Sequence, residues 1–262
     1  MARKKDRVVN EIDMDEAVVS VGGSKSEFLN VKDDIDYDIR FLPPVGNKPD
    51  GTPLKTPWLE HATHGKFVAG KWSGFTVEGS DRKRQLHCLE VHGTGYCPAC
   101  ALKEYSEEEG EDVSWLEPRT KFLMNCVVDD ELRVFDAPPS VVAALQDYIK
   151  NKKYGVKLFD PAVGRNFTMT RIKKPNGFRE YKLVPDPESS RVIFDDWKDR
   201  VPELSGFVQL FSEQEMVDIL VQNLTGILPV EEAFNKKASK PAPAKGKKTT
   251  SAKGKKTSPR KR

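Results

Sequence analysis

His64-Gly65-Lys66 and, further along, Cys88-Leu89-Glu90-Val91-His92-Gly93-Thr94-Gly95-Tyr96-Cys97-Pro98-Ala99-Cys100 decide how this chain folds. A Cys-x-x-Cys pair closes a small knuckle whose two sulfurs face one point, and Cys88 with a histidine completes the tetrahedral N/S shell that Zn²⁺ prefers. Three of the four cysteines lie within these thirteen residues from Cys88 to Cys100. Four protein ligands leave no position for a bound water, so the expectation is a zinc that holds a subdomain together and does not drive hydrolysis. All four histidines (His61, His64, His87, His92) fall in the same window. His87 adjoins Cys88 and, in an extended segment, points to the opposite face. Spacing leaves His61, His64 and His92 open as the fourth ligand, and the histidines not used are expected at the surface.

The chain has 262 residues, 37% apolar and 32% charged, enough for one core domain of about 200 residues with tails. It contains no apolar run long enough to span a membrane, and Met1-Ala2-Arg3-Lys4-Lys5-Asp6-Arg7 leads into no hydrophobic signal core. A soluble, intracellular protein without a membrane partner is expected. The net charge of +3 conceals an asymmetry: from Lys236 to Arg262 there are 12 Lys/Arg and no acid, leaving 31 basic against 40 acidic residues elsewhere. Such a Lys-, Pro-, Gly- and Ala-rich tail is too polar to pack, and disorder is expected over residues 231–262. Its charges suit phosphate backbones or the acidic body. Residues 1–35 read as an arm and 36–230 as the core, with the zinc subdomain at about 61–118.

Asp38-Ile39-Arg40-Phe41-Leu42-Pro43 alternates like a half-buried strand, and Lys66 to Val77 reads as two strands turned at Ala69-Gly70. A short helix is expected over Ala101–Tyr105. Lys121–Val128 predicts a strand paired with Leu132–Phe135 across Asp129-Asp130-Glu131. Pro138-Pro139 opens a helix over Ser140–Lys150, and Asn166–Lys174 and Phe178–Leu183 form a hairpin around Pro175-Asn176-Gly177. Ser212 with Glu215 makes a capping box before Met216, Ile219, Leu220 and Leu224. Cys126, inside a strand, is expected to be a small buried hydrophobe.

No nucleophile–base pair, phosphate-cradling loop or His-Glu-x-x-His helix is present, so enzymatic activity is not expected. What recurs is aromatic residues beside cations on strands: Lys66, Lys71 and Trp72; Arg119, Lys121 and Phe122; then Arg165, Arg171, Lys173, Phe178, Arg179 and Tyr181. Rings stack on unpaired bases while cations follow the phosphates, the chemistry of sequence-tolerant single-strand binders, often built on OB-folds.

Ile39-Arg40-Phe41-Leu42-Pro43; His64-Gly65 followed by Gly70-Lys71-Trp72; Cys88, His92-Gly93 and Cys97-Pro98-x-Cys100; Asn125 with Val127-Val128-Asp129; Phe159-Asp160-Pro161 with Gly164 and Asn166-Phe167; and Gly177-Phe178 with Tyr181 occur in one order between Ile39 and Pro185. In this the chain resembles the single-stranded DNA-binding, helix-destabilising proteins of T-even-type bacteriophages. The resemblance implies a mainly β fold with α: an OB-fold core with an inserted zinc-binding subdomain, flanking helices and disordered tails. It also implies His64, Cys88, Cys97 and Cys100 as zinc ligands, and Phe122, Phe178 and Tyr181 as cleft aromatics. The partners it implies are single-stranded DNA, the protein itself cooperatively along DNA through its basic N-terminal residues, and replication and recombination proteins, in the cytoplasm of an infected bacterial host. Two features depart from it. The Trp72–Cys88 loop is longer and carries Arg82-Lys83-Arg84, and the C-terminus is lysine-rich where the family's is acidic. The alternative reading is a zinc-containing regulator of duplex DNA, for which the chain shows no Arg-, Asn- or Gln-rich recognition helix.

Overall fold

The alternation at Asp36–Phe41 does produce a strand, β1, with Tyr37, Ile39 and Phe41 buried on one face. The computed structural model describes residues 27–238 except 69–70, 81–82, 94, 152–153, 176 and 193–195, and leaves out the side chains of 67, 68, 71, 72, 156 and 235–238. The basic N-terminal residues, Arg82, and the tail beyond 238 lie outside the described residues. The other strands are β2 (Trp58–His64), β3 (Lys66–Val68), β4 (Lys71–Ser73), β5 (Leu86–His87), β6 (Arg119–Val128), β7 (Glu131–Ala137), β8 (Phe167–Lys173) and β9 (Arg179–Pro185). The helices are α1 (Pro98–Glu108), α2 (Pro139–Lys150), α3 (Trp197–Arg200), α4 (Glu213–Leu224) and α5 (Val230–Ala238).

Seven strands form one antiparallel sheet in the order β5-β2-β6-β1-β8-β9, with β7 on the second edge of β6; β3 and β4 make a separate hairpin. The long strand β6 organises the sheet. Its first half pairs with β2, from Thr63↔Arg119 to Trp58↔Met124, and its last residues pair with β1 at Phe41↔Cys126 and Ile39↔Val128. Asp129 and Asp130, both at positive φ (51° and 62°), make the tight two-residue turn into β7, as primed hairpin turns require. The hydrogen-bonded pairings run as an open path. Residues 27–34 link β7 to β8 outside these pairings: Leu29 N–H donates to Val134 O of β7, and Asp34 N–H to Arg171 O of β8. The last part of the expected arm is thus built into the sheet.

The inner face of this curved sheet holds the main core. Ile39, Phe41, Met124, Cys126, Phe135, Phe167 and Met169 meet there, closed at one end by Val141, Val142 and Leu145 of α2. The large side chains among them each contribute about 1.5–3 kcal/mol by leaving water, and Cys126 packs with them as a small buried hydrophobe, as expected. Phe135 of β7 and Tyr181 of β9 touch across the face, with ring centroids 5.9 Å apart. Tyr148 of α2 donates to Leu183 O of β9 at 2.9 Å.

A second core lies beside the first. Ala62, Phe75, Leu86, Cys88, Cys97, Leu102 and Leu116 pack against Met216, Ile219, Leu220 and Leu224 of α4 and Val230 and Ala233 of α5. The capping box is formed in both directions: Ser212 Oγ accepts from Glu215 N–H at 3.2 Å, and Ser212 N–H donates to Glu215 Oε2 at 2.7 Å. Helix α5 carries packed structure past residue 230, where the sequence reading places the start of the tail, because Ala233 and Phe234 complete this core.

Candidate metal centre and nucleic-acid interface

β2 ends at His64, at the seam between the two cores, and α1 begins just after Cys97 with Pro98 in its first turn. Proline there gives up no helical hydrogen bond and fixes the entry angle, so Cys97 and Cys100 both face back toward β2. Cys97 Sγ lies 3.4 Å and Cys100 Sγ 3.7 Å from His64 Nε2, and Cys88 Sγ lies 3.6 Å from Cys100 Sγ. All four ligand atoms lie within 4.8 Å of one another. A Zn²⁺ tetrahedron with the usual Zn–S and Zn–N lengths has edges of about 3.8 Å between sulfurs and about 3.5 Å from nitrogen to sulfur. A disulfide would instead bring two sulfurs to about 2.05 Å. The cysteines are free, and the cluster can hold a metal ion.

The surroundings favour the same use. Leu116 O sits 2.7 Å from His64 Nδ1, so Nδ1–H donates there and the Nε2 lone pair faces the sulfurs. Against this, burial is outweighed by hydrogen bonds to the Cys88 and Cys97 sulfurs and the charge on Cys97, which push the His64 pKa up to about 10, so a metal that takes Nε2 must displace a proton there. Hydrogen bonds from Cys100 and Cys88 hold the Cys97 thiol well below its usual range, so the anionic sulfur a metal needs is favoured. Met216 Sδ of α4 lies 3.8 Å from Cys97 Sγ and covers the cluster from the C-terminal side.

The remaining histidines are not at the surface, contrary to expectation. His61 is 3% and His87 9% exposed, and His92 is half-buried. They stand in a row, with ring centroids 5.6 Å apart for His61–His87 and 6.0 Å for His87–His92. His61 Nε2 meets Asp136 Oδ1 at 2.9 Å, Lys121 Nζ meets Asp136 Oδ2 at 2.7 Å, and His87 Nδ1–H donates to Gln209 O at 3.0 Å. Burial, with the neighbouring His61 and His92, pushes the His87 pKa down to about 3; burial with His61 pushes that of His92 down to about 4.

The residues expected to contact nucleic acid are spread over several places. Phe122 and Tyr181 are half-buried at the rim of the inner face, packed on the main core. Phe178 stands 73% exposed at the β8–β9 turn, with Lys173 exposed across the hairpin. Arg171 and Arg179 share Asp33, at 2.5 and 3.4 Å from its Oδ1, which pins them beside the described N-terminal segment. Arg165 donates to Asp186 O at 2.7 Å with its guanidinium 5.4 Å from the Tyr154 ring centroid. Arg119 is exposed at the start of β6, and Lys121 lies on the opposite face from Phe122, held by Asp136. Lys66 Nζ donates to Asn223 Oδ1 of α4 at 2.9 Å and ties the β3–β4 hairpin to the second core. The side chains of Lys71 and Trp72 lie outside the described residues.

Sequence reading misses β2. Its residues are buried on both faces, Leu59 against Leu54 and Leu123, and Ala62 in the second core, so they show no period of two. With it goes Trp58, which is half-buried on the same face as Phe122. Among the described residues, no helix is long and apolar enough to cross a membrane. No protein-family model matches the chain, and no curated protein matches it.

Proposed function

We propose that the chain is a single-stranded DNA-binding protein, an OB-type barrel with an inserted structural zinc subdomain, that coats and protects exposed strands during phage DNA replication, recombination and repair in the host cytoplasm. The observation that carries this reading is the pair of half-buried rings Phe122 and Tyr181 packed on the main core, together with Phe178, 73% exposed at the β8–β9 turn beside the exposed Lys173. Half-buried rings anchored on a core are preorganised stacking platforms, and nearby cations attract the phosphates. A barrel is supported by the Phe135–Tyr181 contact and by residues 27–34, which tie β7 to β8. Zinc is supported by the donor set and by tetrahedral edges close to those it requires. The resemblance to the T-even-type phage proteins agrees with all three, and it extends the proposal to cooperative self-association and to contacts with replication and recombination proteins.

The mechanism follows from where base faces are available. A duplex hides them in its stack, so a surface of rings binds only once strands part, and binding then holds them apart. Fluorescence titration of the full chain with a single-stranded oligonucleotide and its matching duplex tests this. Preference for the single strand is expected, with Phe178→Ala weakening it by about 1–3 kcal/mol. Equal or tighter duplex binding would remove the proposal and favour a zinc-containing transcription regulator.

A further inference from the structure

Two residues of β2 share the inner face with Phe122. In the β2–β6 register Trp58 lies opposite Met124 and Glu60 opposite Phe122, so Trp58, Glu60 and Phe122 project to one side of the sheet. Side chains directly opposite stand about 4.5–5.5 Å apart at their Cβ atoms, and diagonal ones remain within reach of an aromatic ring. Trp58 and Phe122 are both half-buried against the main core, while Glu60 is exposed between them. The Glu60 carboxylate has no ion pair or hydrogen bond among the described residues.

An unpaired carboxylate on a face that receives a polyanion repels phosphates. It is tolerable where bases, and not the backbone, come to rest, and the flanking rings put bases there. Stacked on Trp58 and Phe122, a base turns its edge toward Glu60. A carboxylate only accepts hydrogen bonds. Cytosine offers its N4 amino group and adenine its N6 amino group, whereas thymine presents the O4 carbonyl in the same place.

Resting on the proposed single-strand binding, we propose that Trp58 is an additional stacking platform and that Glu60 reads the base stacked beside it, favouring amino-bearing bases over thymine. The site takes a cytosine or adenine nucleobase of a single strand. Phosphates stay outside, and the carboxylate accepts one hydrogen bond from the exocyclic amino group.

The test compares binding of the full-length, metal-loaded chain to oligo-dC and oligo-dT of equal length at pH 8. Wild type is expected to prefer dC by about tenfold, the low end for a hydrogen bond to a charged group. Glu60→Ala should bring that ratio close to one, while Glu60→Gln, whose amide can donate to thymine O4, should move it toward dT. Trp58→Ala should weaken both oligonucleotides at least fivefold, and Trp58→Phe should restore most of the affinity while losing part of the tryptophan quenching. If Glu60→Ala strengthens dC and dT alike with their ratio unchanged, the carboxylate only repels phosphate and the inference fails. Wild-type affinity in Trp58→Ala would likewise overturn the stacking role. A wild-type chain that binds neither oligonucleotide sinks the proposed function itself, whereas one that binds both equally sinks this inference alone. Metal content and circular dichroism of each variant separate loss of binding from loss of fold.

Discussion

Lowering the pH from 7 to 5.5 should destabilise this protein through its row of histidines. His87 is 9% exposed, with a pKa pushed down to about 3, and His92 has one pushed down to about 4. A group whose folded pKa lies below its unfolded value of about 6.5 contributes stability that is complete above that value, and is lost as the pH falls toward the folded one, because only the unfolded chain binds the proton. Between pH 7 and 5.5 each fully neutral histidine therefore costs about 1.2 kcal/mol, and the pair about 2 kcal/mol once the partial exposure of His92 is discounted. That is a large share of a typical domain stability of about 5–15 kcal/mol. Urea unfolding of metal-loaded protein at the two pH values measures it. His87→Asn places an amide nitrogen where Nδ1 donates to Gln209 O but cannot take up a proton, so it should remove about 1.2 kcal/mol of the difference. Proton competition for the adjacent metal ligands is common to both proteins and cancels in the comparison. Identical pH dependence in wild type and His87→Asn would refute the reasoning.

Removing one ligand by Cys100→Ser should weaken zinc retention by about 100-fold or more, since four ligands together supply about 10–16 kcal/mol; a chelator-competition assay reads it, and wild-type retention would mean that the metal sits elsewhere. Ser212→Ala removes the α4 cap and should cost about 1 kcal/mol in urea unfolding, while Ser212→Asn should cost much less. Asp136→Asn leaves Lys121 and His61 without their shared carboxylate and should cost about 2–3 kcal/mol, moderated because Lys121 is one-third exposed; a stability equal to wild type would show that the pair does not hold β7 to β6.

Short-range chemistry was legible in the sequence, and long-range packing was not. The Cys-x-x-Cys knuckle, the capping box at Ser212 and the strands around Asp129-Asp130 each depend on residues a few positions apart, and the structure carries all three. The choice of His64 over His61 and His92 was open from spacing because it depends on Leu116 O, a backbone atom 52 residues away that leaves no mark on composition. The partner of Lys66 is hidden for the same reason: nothing nearby in sequence announces Asn223, 157 residues on. The burial of His61 and His87 was hidden because histidines count as polar in any pattern, while here Asp136 and the carbonyl of Gln209 each engage one ring nitrogen from another element.

The union of Leu86, Cys97 and Leu116 with Met216, Leu220 and Ala233 in one core has a consequence for how the protein is made. A ribosome adding about 5–20 residues per second delivers the candidate metal ligands, the last of them Cys100, several seconds before α4 and α5. During that interval the ligand cluster exists without its cover, and the apolar faces of α1 and of the 3-10 turn at Ser114–Leu116 stand in water. Early metal capture would hold the nascent segment in shape until the helices arrive, so the supply of metal during synthesis, more than its affinity afterwards, would set the yield of folded chains.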